Sequence, residues 1–203
     1  MGFGRARNTD TTTTAADLGV LALRVGAGAL FAGHGAQKLF GVLGGHGLEG
    51  TAGFLGSLGL KPAKQWAQLA GISEFGGGAL MALGLGGPIG PILMQGAMVN
   101  AIRQAHWKLP IWSAAGGPEM ALLYSLIGVA VGTTGPGRFS LDRALGVKVP
   151  AALTAVTIGA VAAGIVVTEV QVAAAKATSA AAEAELAAAD DDGPQAGEAA
   201  PAA

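Results

Sequence analysis

The sequence predicts an all-α membrane protein with a four-helix transmembrane core and a fifth, carboxyl-terminal transmembrane helix. Two observations predict this class. Hydrophobic residues make up 51% of the chain and charged residues only 12%, against roughly 25% charged residues in soluble domains. The apolar residues also gather in five windows that are close to the about 20 residues needed to cross a bilayer.

The first span is predicted over 17–38, after a polar lead-in at 1–16. A cleaved signal peptide is the alternative interpretation for this region. Its apolar segment normally has about 7–15 residues, whereas the segment here is longer and contains Arg24. We therefore expect an uncleaved first span.

The second span is predicted from Trp66 to Gly86, and it carries one charged residue, Glu74. A glycine-rich connection precedes it, in which apolar residues at helical spacing predict a short interfacial helix. Small residues lie on the same helical face as Glu74, namely Ala67, Ala70, Gly71, Gly77 and Gly78. Such a face lets another helix approach closely, so we expect Glu74 to point at a neighbouring helix.

Two prolines at 88 and 91 leave only a tight turn before the third span, which predicts that spans two and three are antiparallel neighbours. The third span covers Ile89 to Trp107. One stripe of it holds Asn100 and Arg103, with His106 beside Arg103. Gly116, Gly117 and Pro118 introduce the fourth span, which places Glu119 in its first turn and ends near Thr134.

The long uncharged run after Lys148 predicts a fifth span, which we assign to 149–170. The tail at 171–203 is rich in alanine and acidic residues. It offers no apolar face to a core, so we expect it to be disordered, although its first half has a helical composition.

Span one carries three basic groups on one side of its helix. At 100° per residue, Lys38 lies about 40° from Arg24 and His34 about 80°. A charge near the middle of a spanning helix costs roughly 2.5–3.5 kcal/mol on insertion scales. We therefore expect partners or water for these groups inside the bundle.

Alternating chain direction predicts where the polar groups meet. The ends of spans one and three and the start of span four share one membrane face, which groups His34, Lys38, Arg103, His106 and Glu119. Glu74 is about 12 Å deeper than Trp66 at 1.5 Å per residue. Arg24 belongs to the other half of span one.

Simpler explanations exist for each polar group. Ion pairs of Arg24 or Arg103 with Glu74 or Glu119 would fix helix register without any ligand. Two histidines on different helices, His34 and His106, could instead ligate haem. Near the fifth span, Ser140, Asp142 and Arg143 are typical of a helix cap or an interfacial anchor.

Four separated strings resemble one family. They are HGAQKLFG at 34–41, SEFGGG at 73–78, GGPE at 116–119 and GPGRFSLDRAL at 135–145. Together they resemble the DoxX family of small bacterial membrane proteins over about residues 18–145, within the predicted four-helix domain at 17–145. The resemblance implies a four-helix membrane core and kinship with the small membrane subunit of thiosulfate:quinone oxidoreductase. A fifth span departs from the four-span pattern of that family.

The favoured function is that of an integral membrane subunit of a redox system, with a quinone or another apolar carbonyl compound as its ligand. Lys38, Arg103 and the histidines would donate to carbonyl oxygens, and Glu74 with His34 or His106 would relay protons in catalysis. Arg24, Asn100 and Glu119 complete the expected binding site. Whether the chain is itself an enzyme is left open, because it contains no recognisable electron carrier and an oxidoreductase partner would have to supply electrons. The alternative is a non-catalytic scaffold or a small-molecule transporter.

Composition and charge also limit the kinds of chemistry and partner that we expect for this chain. The chain has no cysteine, which excludes thiolate catalysis, disulfide exchange and cysteine-ligated metals within it. Its net charge of −1 reflects the acidic tail and does not indicate a nucleic-acid partner, so lipids are the expected surroundings.

The resemblance to the DoxX family implies a multi-pass protein of the bacterial plasma membrane. A five-to-four excess of Lys and Arg outside the spans favours a cytoplasmic amino terminus.

Overall fold

The computed structural model describes residues 8–191 of the chain and the side chains of residues 14–188. All regular elements in this part of the chain are helices, as the sequence predicts. The α-helices are α1 (Asn8–Phe40), α2 (Gly47–Ser57), α3 (Ala63–Leu83), α4 (Ile89–Asn100), α5 (Glu119–Thr134), α6 (Leu141–Leu145) and α7 (Ala151–Asp191). A π-helical turn, Ala101–His106, extends α4, and a 3₁₀ turn, Ser113–Ala115, precedes α5.

Four helices close a ring in which α1 packs on α3, α3 on α4, α4 on α5, and α5 back on α1. The short helix α2 lies against α1 and α3, and α7 packs against α4. Phe31 and Met94 are fully buried in the centre of the ring, next to Met81 and Tyr124. The tight turn between α3 and α4 makes these two helices neighbours, as predicted.

Glycines bring α1 and α3 into close contact. A Cβ atom on Gly28 of α1 would lie 2.7 Å from the carbonyl oxygen of Gly78 on α3. A Cβ atom on Gly35 would overlap the backbone of Phe75 in the same way. The small-residue face around Glu74 is therefore a packing surface, which confirms the sequence prediction for this helix.

Two helical segments are long and apolar enough to cross a membrane, Thr14–Phe40 and Ala151–Ala188, and α5 is a shorter apolar helix. Large apolar side chains cover their outer surfaces, and Leu30, Leu126 and Val156 are each more than 60% exposed. Trp107 and Trp112 are also exposed near one end of the ring, as in an interfacial aromatic belt. These features are those of a membrane core, and the count of four spans plus one stays a prediction.

Two helices extend beyond their predicted bounds. The first, α1, begins at Asn8, inside the polar lead-in, and α7 runs through position 170 without a break. The expectation that residues from 171 onward offer no face to the core is wrong for Val172, which is 3% exposed. Val172 lies one turn after Thr168 and so shares the face of α7 that packs on the bundle. The predicted disorder of 192–203 lies outside the described residues.

Candidate functional site at the Lys38–Glu74 ion pair

The central polar contact of the bundle joins α1 to α3. Lys38 Nζ donates to Glu74 Oε2 at 2.5 Å, with the Glu74 side chain 8% exposed and that of Lys38 33% exposed. A carboxylate at this depth is expensive unless it is paired, and Lys38 supplies the pairing cation. The sequence placed Lys38 among the nearest cations to Glu74, and the structure brings these two predicted site residues together.

Local packing explains why the two side chains meet. Gly35 lies one turn before Leu39 and lets the backbone of Phe75 approach α1. Gly71 leaves room for the side chain of Leu39, so α3 is close to α1 on both sides of Glu74. The short helix α2 covers the end of α1, where the Thr51 hydroxyl lies 3.5 Å from the carbonyl oxygen of Lys38. The ion pair is therefore held between three helices.

His34 lies one turn before Lys38 on α1 and faces α5. Its imidazole meets the ring of Tyr124 edge-on, with ring centroids 6.2 Å apart. His34 Nδ1 also lies 3.1 Å from Gln37 Oε1. Tyr124 packs against Phe31 on its other side, and its hydroxyl has no hydrogen-bond partner within the part of the chain that the structure describes.

An apolar groove of about 230 Å³ lies between α1 and α5. Tyr124 contributes the phenol to its wall, and the ring of Tyr124 contacts His34 on α1. Gly26 leaves open space on the α1 side. The other walls are apolar and include Leu23, Ala27, Leu30, Met120, Leu123 and Ile127.

The polar stripe of α4 and its π turn faces α7. Arg103 Nε donates to Glu169 Oε1 at 2.9 Å, and Gln104 donates to the same oxygen at 3.1 Å. The Thr168 hydroxyl donates to Asn100 Oδ1 at 2.6 Å. Asn100 and Arg103 therefore tie α7 to the bundle, and neither contacts Lys38 or Glu74 in the described part of the chain.

His106 and Glu119 organise the loop before α5. His106 Nδ1 lies 2.6 Å from the carbonyl oxygen of Gly116. Glu119 accepts hydrogen bonds from the backbone N–H and the hydroxyl of Ser113, both at 2.8 Å. Both residues lie at the predicted membrane face, but their hydrogen bonds are local.

Arg24 lies at the opposite end of the ring and is 2% exposed. Its two Nη atoms donate to the carbonyl oxygens of Ala82 and Phe139. Nearby, Asp142 accepts hydrogen bonds from the backbone N–H groups of Gly86 and Gly87, at 2.9 and 2.6 Å. Ser140 caps α6 by accepting from the N–H of Arg143, as its sequence context predicts.

The bundle therefore has two polar regions. We call the region with Arg24, Ser140 and Asp142 the Asp142 end. We call the region of Lys38, Glu74 and His34 the Lys38 end.

Sequence reasoning passed over two residues that the structure makes prominent. Tyr124 sits in an apolar helix and carries no charge, so nothing in its pattern separated it from a core aromatic residue. Glu169 was detectable, because a carboxylate directly after an uncharged run of 20 residues needs a cation partner.

Residues 19–107 match the family model of DoxX. This part of the chain is similar to the DoxX family and is here called the DoxX domain. No curated protein and no solved structure matches the chain. The DoxX domain contains Lys38, Glu74 and Arg103, whereas Tyr124, the GGPE string and the GPGRFSLDRAL string follow it. A DoxX domain with apolar helices indicates a membrane protein, from a family often linked to redox systems.

Proposed function

We propose that this DoxX protein is a membrane subunit of a redox system that binds a quinone-like ligand between α1 and α5. The observation that carries the proposal is the apolar groove with Tyr124 in its wall, where His34 lies edge-on to the ring of Tyr124. A dry apolar cavity of about 150 Å³ is large enough for benzene. The volume of about 230 Å³ therefore suits one substituted aromatic head group.

The phenol of Tyr124 in the groove wall suits a ligand with a carbonyl group. The Tyr124 hydroxyl is a donor without a partner in the described residues, so it is available to a carbonyl oxygen. His34 adds an imidazole, a second side chain that can donate or accept a hydrogen bond. Lys38 lies one helical turn further along α1 than His34, where it bonds to the buried carboxylate of Glu74.

Reduction of a quinone to a quinol takes up two electrons and two protons. A partner oxidoreductase would deliver the electrons, since the chain has no recognisable electron carrier. Tyr124 and His34 would pass protons to the two quinone oxygens. The Lys38–Glu74 pair would stabilise the charge left on these side chains until new protons replace the transferred ones. Arg103, Asn100, His106, Glu119 and Arg24 are not needed in this scheme, because their hydrogen bonds serve α7, the loop before α5 and the Asp142 end.

Filling the groove tests the site directly. The Cβ of a residue at Gly26 would meet nothing within 4 Å, so Gly26→Leu adds bulk to the groove without a clash inside the fold. We expect Gly26→Leu to abolish saturable binding of a short-chain quinone, measured by fluorescence titration of the protein in nanodiscs. Gly19→Leu is the matched control, since Gly19 is on the same helix, has the same open space and lies outside the groove.

Chemical variants separate the roles within the site. Tyr124→Phe removes only the hydroxyl and should weaken quinone binding about fivefold to tenfold, the value of one hydrogen bond. Lys38→Ala should weaken it as well, while Lys64→Ala should not, because Lys64 forms an exposed ion pair with Glu49. If Gly26→Leu and Tyr124→Phe both leave binding unchanged, the quinone proposal fails and a non-catalytic scaffold or transporter becomes the better explanation.

We further propose, from the sequence, that the protein resides in the bacterial plasma membrane with a cytoplasmic amino terminus. The excess of basic residues on that side of the predicted spans supports this orientation.

A further inference from the structure

A second, polar cavity lies at the Asp142 end of the bundle and is distinct from the groove between α1 and α5. It has a volume of about 600 Å³. Its wall combines the start of α1, the turn between α3 and α4, and the segment from the end of α5 to the start of α7. Three cationic side chains line it, those of Arg138, Arg143 and Lys148, together with two carboxylates, Asp17 and Asp142.

Both carboxylates are already engaged. The two oxygens of Asp142 accept the N–H groups of Gly86 and Gly87. Asp17 Oδ1 accepts the backbone N–H of Arg138 at 3.0 Å, and Asp17 Oδ2 lies 3.8 Å from Arg138 Nε. In the part of the chain whose side chains are described, those of Arg143 and Lys148 have no hydrogen bond and no ion pair. Two cations therefore remain available to an anion.

Exposed apolar side chains neighbour these cations in the chain, and Val147 and Val149 line the cavity with them. Phe139, Leu141 and Leu145 are 48%, 37% and 67% exposed, and Leu141 and Leu145 share one face of α6. Exposed leucine and phenylalanine beside arginine and lysine, at the ends of apolar helices, are typical of the boundary between lipid head groups and acyl chains. A site for a free anion in water would have no use for these exposed apolar side chains.

We propose that this cavity binds the phosphate diester of an anionic phospholipid. Arg143 and Lys148 donate to the phosphate oxygens, and Arg143 can do so through two parallel N–H groups. Phe139, Leu141 and Leu145 lie against the acyl chains. The lipid fastens α6 and the start of α7 to the membrane surface at the Asp142 end.

Native mass spectrometry of the full chain tests this site, in micelles with equal amounts of phosphatidylglycerol and phosphatidylcholine. The wild type should retain phosphatidylglycerol selectively. Each basic side chain near a membrane surface is worth roughly fivefold in affinity, so Arg143→Gln with Lys148→Gln should weaken phosphatidylglycerol binding about 30-fold. The charge-conserving variant Arg143→Lys with Lys148→Arg should retain it.

The matched control removes two exposed lysines at the other end of the bundle, Lys61→Gln with Lys108→Gln. An equal loss in the control would show a general charge effect and would overturn the proposal. Binding of inorganic phosphate with the same dependence on Arg143 and Lys148, without enrichment of phosphatidylglycerol, would identify a free-anion site and would also overturn it. An unchanged melting temperature shows that each variant is folded.

Discussion

Buried charged side chains have different kinds of partner at the two ends of the bundle. At the Asp142 end, Arg24 and Asp142 bond to backbone groups: Arg24 to two carbonyl oxygens, Asp142 to two N–H groups. At the Lys38 end, the buried carboxylate of Glu74 bonds to a side chain that is one-third exposed. Backbone partners are fixed by the fold, whereas a lysine on a flexible stem can change its partner.

This difference separates a structural region from a candidate reactive one. The bonds of Arg24 and Asp142 join α1, the turn between α3 and α4, and α6, so they hold one end of the ring closed. The Lys38–Glu74 pair is partly exposed and can exchange partners without unfolding a helix. Variants of Arg24 and Asp142 should therefore change stability alone, and variants of Lys38 and Glu74 should change both stability and quinone binding.

The comparison requires that the two ends lie on opposite sides of the membrane. Ser57→Cys and Ser113→Cys should react with an impermeant maleimide from one side, and Ala144→Cys only from the other. The sequence alone suggests Ser140 for the second side, but Ser140 is 5% exposed and Ala144 is exposed. The chain has no cysteine of its own, so labelling has no background. Labelling of Ser57→Cys and Ala144→Cys from the same side would disprove the arrangement of the spans.

Asp142→Ala should produce the largest loss of stability. It leaves the partly buried N–H groups of Gly86 and Gly87 without their acceptor, at about 1–3 kcal/mol for each donor, so the free energy of unfolding in detergent should fall by about 2–6 kcal/mol. Glu49→Ala, which removes a carboxylate that is 79% exposed, should change it by less than about 0.5 kcal/mol. Folded Asp142→Ala protein should still bind quinone normally. A selective loss of quinone binding would mean that the Asp142 end is part of the ligand site.

The sequence predicted the parts of this molecule that depend on pattern and chain direction. Apolar windows located the helices, and small residues around Glu74 predicted that another helix packs on α3. Alternating direction placed Lys38 among the cations near Glu74, together with Arg103 and the histidines, which the structure places elsewhere. It could not predict the partners of Arg24, because Phe139 is distant in the chain and a backbone carbonyl has no sequence signature. The contact of Arg103 with Glu169 also depends on where α7 packs, which the composition of α7 does not determine.

The last prediction concerns the coupling between Glu74 and its partner. Glu74→Gln preserves size and leaves Lys38 without a counter-charge. Loss of one member of a fully buried pair costs about 3–5 kcal/mol, but Lys38 is 33% exposed, so we expect about 1–3 kcal/mol. Lys38→Met in the same chain should recover part of this loss, which gives a non-additive double-mutant cycle. The measurement is the free energy of unfolding of single and double variants in detergent.

Two further cycles make this result specific. Glu74→Gln with Arg103→Met should be additive, because Arg103 bonds to Glu169 and not to Glu74. Glu49→Gln with Lys64→Met removes a similar carboxylate–lysine bond, 2.7 Å long but 57% and 79% exposed, and its coupling should stay below about 1 kcal/mol. Coupling of Glu74 to Arg103, or none to Lys38, would contradict the contact on which the Lys38 end is defined. Coupling to Lys38 that exceeds the exposed pair would show that burial, and not the mere presence of an ion pair, sets the energy of this site.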